Sequence, residues 1–220
     1  MKSRSLFIPA AIALLVSGCN VVFNSPIVNG SGKAATDTRS VSGFSSVEMS
    51  GSGELKIEQT GTESLAISAD DNILEYVTSN VRGGQLILGM KNGSFSTSTP
   101  VVYKLTVKNL NGIALSGSGS ISGKALATDS MKIESSGSGE ITTAGITDHM
   151  EVVISGSGNV HAEGFKSKDA RVEIDGSGSA TVAASERLDV NINGSGNVEY
   201  LGDPTVSTSK HGSGAVNRKQ

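Results

Sequence analysis

The chain has 220 residues, 28 of them glycine, with no tryptophan and only three tyrosines and five phenylalanines. So little aromatic volume excludes a thick core and predicts a thin interior of Ile, Val, Leu and Ala within one domain of roughly 180 residues. The 18 basic and 21 acidic residues are interspersed and leave a net charge of −3; with no basic patch or aromatic-basic stripe, nucleic acid is excluded as a partner.

Residues 1–18 read as a lipoprotein signal peptide. Lys2 and Arg4 supply a positive start, and Leu6 to Val16 is an apolar stretch too short to stay in a bilayer as a spanning helix. Leu15-Val16-Ser17-Gly18-Cys19 then resembles a bacterial lipobox and contains the only cysteine. The resemblance implies lipidation at Cys19 and attachment to a membrane, the outer one in preference to the inner, through several acyl chains. It also leaves no thiol for a disulfide.

Residues 19–40 are polar and glycine-containing, and read as a flexible tether. Gly30-Ser31-Gly32-Lys33 has the look of a phosphate loop. It lacks the upstream glycine and a preceding strand, and Ala34 follows the lysine, so that reading is set aside.

From Val41 the pattern becomes alternating. Val47 and Met49 lead into Gly51-Ser52-Gly53, and Glu54 to Glu58 alternates as the next strand. Leu65-Ala66-Ile67 is a further strand. Ile73, Leu74, Val77 and Val81 have helical spacing, with Asp70-Asp71-Asn72 as a cap and Gly83-Gly84 as a stop. Asp70 and Asp71 also invite reading as a catalytic pair or calcium ligands, but capping is the simpler account. Gln85 to Met90 and Val101 to Leu110 are strands flanking a polar, hairpin-like loop. This irregular stretch is expected to cover one end of the fold.

The triplet Gly-Ser-Gly then returns at residues 117, 137, 156, 176, 194 and 212, at intervals of 20, 19, 20, 18 and 18. Four and two residues before most triplets stand apolar pairs such as Ile113 and Leu115, Val152 and Ile154, and Val172 and Ile174; Ser135 interrupts the pattern before the triplet at 137, and Thr208 and Lys210 end it before the last. A unit this short cannot hold a β-α-β crossover of about 30 residues. Stacked units predict an all-β, single-domain parallel β-helix with 18–20 residues per coil over residues 41–216, and residues 217–220 as a tail. One short helix and irregular strands are expected in its N-terminal half. The crossover rule predicts a right-handed coil. The triplet serines are expected to form a ladder at the corner, as a structural device before a ligand site.

The repeated corners, Phe44-Ser45-Ser46-Val47, the Asp70 to Leu74 segment and Gly83-Gly84-Gln85-Leu86 together resemble the bacterial "putative auto-transporter adhesin, head GIN domain" family, over roughly residues 41–216. The resemblance implies a secreted or envelope-anchored β-helix and brings no catalytic residues.

No constellation for chemistry emerges from the residues themselves. His149, His161 and His211 fall at different offsets from their triplets, which argues against a metal site. No cofactor is implied. Glu54 and Glu140 share a column position, and Glu173 and Asp175 share a coil edge; these would be the acids of a polysaccharide-active enzyme. The expectation is a non-enzymatic, lipid-anchored envelope protein that binds a glycan or protein partner. The alternatives are that enzyme, or a structural or regulatory periplasmic partner.

Overall fold

The computed structural model describes residues 27–219. The signal peptide and Cys19 lie outside the described residues. The strands, in chain order, are β1 (Ile27–Asn29), β2 (Ala34–Arg39), β3 (Ser46–Gly51), β4 (Glu54–Gln59), β5 (Ser64–Asp70), β6 (Val77–Arg82), β7 (Gln85–Met90), β8 (Ser94–Ser96) and β9 (Val102–Val107). They continue with β10 (Gly112–Gly117), β11 (Ser120–Gly137), β12 (Glu140–Gly156), β13 (Asn159–Gly176), β14 (Ser179–Gly194), β15 (Asn197–Leu201), β16 (Thr205–Gly212) and β17 (Ala215–Arg218). The molecule is an all-β solenoid of about five regular turns.

Each long strand bends in its middle and contributes to two faces. The first face stacks β3, β10, the later halves of β11 to β14, and β16. The second stacks β4, the earlier halves of β11 to β14, then β15 and β17. All these pairings are parallel and bring like residues together. Val47, Ile113, Ile133, Val152, Val172 and Val190 form one inward column without a slip. Leu55, Ile121, Ile141, Val160, Ala180 and Val198 form its counterpart on the second face. Every residue of both columns is buried. Burying each larger side chain contributes about 1.5–3 kcal/mol, and the columns repeat that gain at every turn.

The two corners differ. At Gly-Ser-Gly the register never shifts. The first glycines from Gly117 to Gly212 hold φ between 125° and 137°, which a side chain disfavours. Their missing Cβ atoms also matter: one on Gly137 would stand 2.5 Å from the Gly117 carbonyl oxygen. The opposite corner absorbs the variation in coil length. Ser120 lies beside Glu140, yet Ser130 lies beside His149, a slip of one residue between Gly123 and Leu126. The expected hydroxyl ladder is replaced mainly by backbone bonds, such as Ser138 N–H to Gly117 O at 3.0 Å and Ser157 N–H to Gly137 O at 2.8 Å. Within that column Ser195 and Ser213 hydroxyls pair at 3.1 Å.

The insert between β4 and β10 builds the N-terminal end. β7 adds to β3 on the first face and β9 to β4 on the second, so the strands flanking the polar loop lie on different faces. β6 covers β7, and β5 covers β9 in turn; both pairings are antiparallel. The expected cover is therefore present, but as strands.

Two expectations are corrected. The helix over Ile73 to Val81 is a single 3-10 turn at Leu74–Tyr76 followed by β6. Val77, Thr78 and Val81 are β-branched and suit a strand. Arg39 donates to the Leu74 and Val77 carbonyls at 3.1 and 2.8 Å, occupying acceptors that a helix would use. Gly83 and Gly84, at φ 57° and 78°, make the hairpin turn into β7. The second correction concerns the tether. Residues 27–39 carry β1 and β2; β1 pairs with β8 in parallel, and β2 pairs with β5 antiparallel from Ala34↔Asp70 to Arg39↔Leu65.

Candidate functional site

Asp70-Asp71-Asn72 caps no helix: the 3-10 turn has Ile73 at its start and no side-chain cap. Instead it clasps the N-terminal segment. Asp70 is buried. Its Oδ1 accepts the Gly32 N–H at 3.0 Å, and Oδ2 accepts the N–H groups of Ser98 and Thr99 at 2.8 and 3.2 Å. Asp71 accepts the Ser31 hydroxyl at 2.6 Å, and Asn72 exchanges bonds with Ser31 N–H and Asn29 O at 2.9 and 2.8 Å. Desolvation is the largest influence on the Asp70 carboxyl and pushes its pKa up, but the Thr99, Ser98 and Gly32 donors together outweigh it and hold the pKa below its ordinary 3.8. The segment that looked like a phosphate loop does cradle an anion, the chain's own carboxylate.

The exterior of the first face is a lattice of charged and hydroxyl columns. Lys132, Glu151, Arg171 and Asp189 stand side by side in alternating sign. Beside them run Ser130, His149, Asp169 and Arg187. His149 Nδ1 lies 3.2 Å from Asp169 Oδ2, and Arg187 Nη2 lies 2.6 Å from the same oxygen. The Arg187 hydrogen bond keeps the Asp169 carboxyl below the usual range against the opposing effect of desolvation, with help from the charges of Arg187 and His149. Ser130, His149, Asp169 and Arg187 each stand seven residues before the first glycine of a triplet, so the column was countable from the triplets; sequence reading missed it by comparing the histidines only with one another. Ser130 is not hydrogen-bonded to the His149 ring, and Arg187 competes for the oxygen that a catalytic dyad would need, so the column is a charge ladder. Next to the triplets runs a polar ladder: Ser136 hydroxyl to Ser116 at 3.2 Å, and Asn193 amide to Asp175 at 2.8 Å.

The acids considered for polysaccharide chemistry are separated. Glu54 and Glu140 share a column as expected, with Ser120 between them, on the second face. Glu173 and Asp175 lie on the first, across the Gly-Ser-Gly corner. The histidines also separate: His161 stands on the second face, 3.6 Å from Glu140, and His211 on the terminal strand β16. Among the described residues no group of three or more metal-binding side chains converges.

Stacked coils whose exterior columns of charges and hydroxyls stay in register on the first face define a parallel β-solenoid. The family described as "Putative auto-transporter adhesin, head GIN domain" matches residues 43–204, and the chain belongs to it. Among curated proteins no match was found. Among solved structures, one described as a "putative adhesin" from Bacteroides fragilis is 23% identical, with a TM-score of 0.73, covering 87% of this chain and 100% of its own. A "Putative lipid binding protein" from Parabacteroides distasonis is 24% identical at 0.62, covering 89% and 100%. A "putative adhesin" from the same species is 23% identical at 0.56, covering 88% and 100%. At these identities the likeness is one of fold.

Proposed function

We propose that the protein is a non-enzymatic binding module of the bacterial cell envelope, held to the outer membrane through lipid on Cys19. The observation that carries this reading is the exterior just described: its charges alternate in sign from coil to coil, Asp169 pairs with Arg187 and His149 across coils while Lys132 and Arg171 pair with Glu134 and Glu173 of their own strands, and the acids nearest to chemistry stand on separate faces. Such a surface can offer many weak polar contacts to a partner but no reactive centre. Membership in an adhesin-like family supports the same reading. The clasped strap at residues 29–33 gives residues before it a fixed point of departure from the domain.

The test uses cells carrying the full chain. Metabolic labelling with a tagged fatty acid is expected to mark the wild type and not Cys19→Ser. Intact cells are expected to display the domain to an antibody and to adhere to host-derived or bacterial glycan surfaces, and to lose both properties when the gene is removed. Display only after the outer membrane is permeabilised would rule out adhesion and favour a periplasmic partner.

A further inference from the structure

Cross-strand charge in this molecule follows a rule with one exception. The paired strands place Lys132 beside Glu151, Glu151 beside Arg171, Arg171 beside Asp189, Asp169 beside Arg187, and Lys124 beside Glu58. Among the described residues, one ladder pair joins like charges: Lys56 and Lys104, directly opposite in β4 and β9. Strand spacing brings their backbones within about 4.8 Å, and like charges directly opposite destabilise a sheet. Lys56 has a partner, Glu54, at 3.0 Å. Lys104 and Lys124 have no ion pair within 4 Å among the described residues, although Glu58 stands in the ladder beside Lys124. The three lysines line one shallow depression on the second face, together with one carboxylate, Glu58, and with Thr106 and Ser122, so cations outnumber acids there three to one. Where a sequence satisfies a local rule at every other pair and breaks it once, the exception marks a functional position.

We infer that this depression binds a linear acidic polysaccharide, a uronate or sulfated polymer, whose repeated anions sit over Lys104, Lys56 and Lys124. The inference rests on the surface-binding reading above and names its ligand class. Several cations at strand spacing match an anion that recurs along a chain better than one isolated phosphate. The column continues from Lys56 through the hydroxyls of Ser122 and Thr142, which suit sugar hydroxyls further along the same polymer. A lipid is disfavoured, because the exposed large apolar side chains, Ile27, Val81 and Ile146, lie outside the depression.

The experiment titrates the full chain with polygalacturonate, dextran sulfate, neutral dextran, and vesicles containing phosphatidylglycerol. Binding to one or both acidic polymers, weakened by salt and absent for neutral dextran, is expected. Lys104→Gln combined with Lys124→Gln is expected to weaken it by about tenfold, whereas Lys166→Gln, an exposed lysine on another coil, is expected to leave it unchanged. Lys104→Gln is also expected to keep or raise the melting temperature, which separates lost binding from lost folding. Equal weakening in the Lys166 variant, or binding to vesicles without binding to either polymer, overturns the inference. If neither polymer binds while cells still adhere, this inference falls and the surface-binding reading stands; if adherence is also absent, both fall.

Discussion

Ser135 occupies an inward position that its neighbours fill with hydrocarbon. Its column runs Met49, Leu115, Ser135, Ile154, Ile174 and Ile192. The side chain is buried and its hydroxyl has no hydrogen-bond partner. An unpaired buried hydroxyl costs about 1–3 kcal/mol relative to a satisfied one. Ser135→Ala removes that group and leaves almost no void. It is expected to stabilise the domain by about 1 kcal/mol, read as a higher urea midpoint with an unchanged slope. An unchanged or lower midpoint would mean that the hydroxyl finds a partner in solution. The same reasoning explains the end of the solenoid. Thr208 and Lys210 continue the inward columns in β16 but are exposed, because no further turn stacks on them. A lysine at the open edge discourages another strand from adding there.

At the scale of elements, the clasp between the strap and the Asp70 turn controls how the N-terminal segment is held. The folded Asp70 carboxyl has a pKa below 3.8, so the unfolded chain binds the proton more readily. Its contribution is therefore complete above pH of about 4 and is lost as pH falls through the folded value. Acid is expected to raise hydrogen exchange at the N–H groups of Gly32, Ser98 and Thr99 before the coil columns open. Asp70→Asn is expected to produce the same local exchange already at neutral pH. Equal protection in the variant would show that the strand pairing of β1 and β2 holds the strap unaided. This clasp also marks where sequence legibility stopped. The coils were readable because Gly-Ser-Gly and the residues two and four before it repeat in a fixed order, and local pattern and tertiary pairing agree there. β2 was not, because Ala34 to Arg39 alternates weakly and becomes a strand only beside β5, about 30 residues on. Helical spacing at Ile73 to Val81 misled for a related reason: the Arg39 side chain at the end of β2 decides those carbonyls. Of the binding surface, the exposed columns were visible in outline. The Lys56–Lys104 pair was not, since only the folded insert places β9 against β4.

For the whole molecule, stability is close to a sum of turns and the contacts between neighbours, as in other solenoids. That makes the charge pattern testable by removing turns. Deleting residues 159–178, one coil, joins Gly158 to Ser179 and stacks β12 directly on β14. Asn159↔Ser179 and Glu140↔Asn159 show the register that this would preserve. The inward columns remain continuous, with Val152 on Val190 and Ile154 on Ile192. The outer column of alternating charge does not: Glu151 meets Asp189. Deleting residues 140–178, two coils, joins Gly139 to Ser179 and restores opposite signs, with Lys132 beside Asp189. Each like-charge pair opposes folding by about 0.2–1 kcal/mol, and salt screens it within a Debye length of about 10 Å at 0.1 M. Both shortened chains are expected to fold, because each remaining coil still buries its aliphatic side chains against a neighbour. The one-coil deletion is expected to gain melting temperature on addition of salt, and the two-coil deletion to gain less or none. Identical salt responses would show that the exterior charges are too solvated to interact between turns. The alternating ladder would then carry no energetic preference, and the Lys56–Lys104 exception would lose its meaning with it.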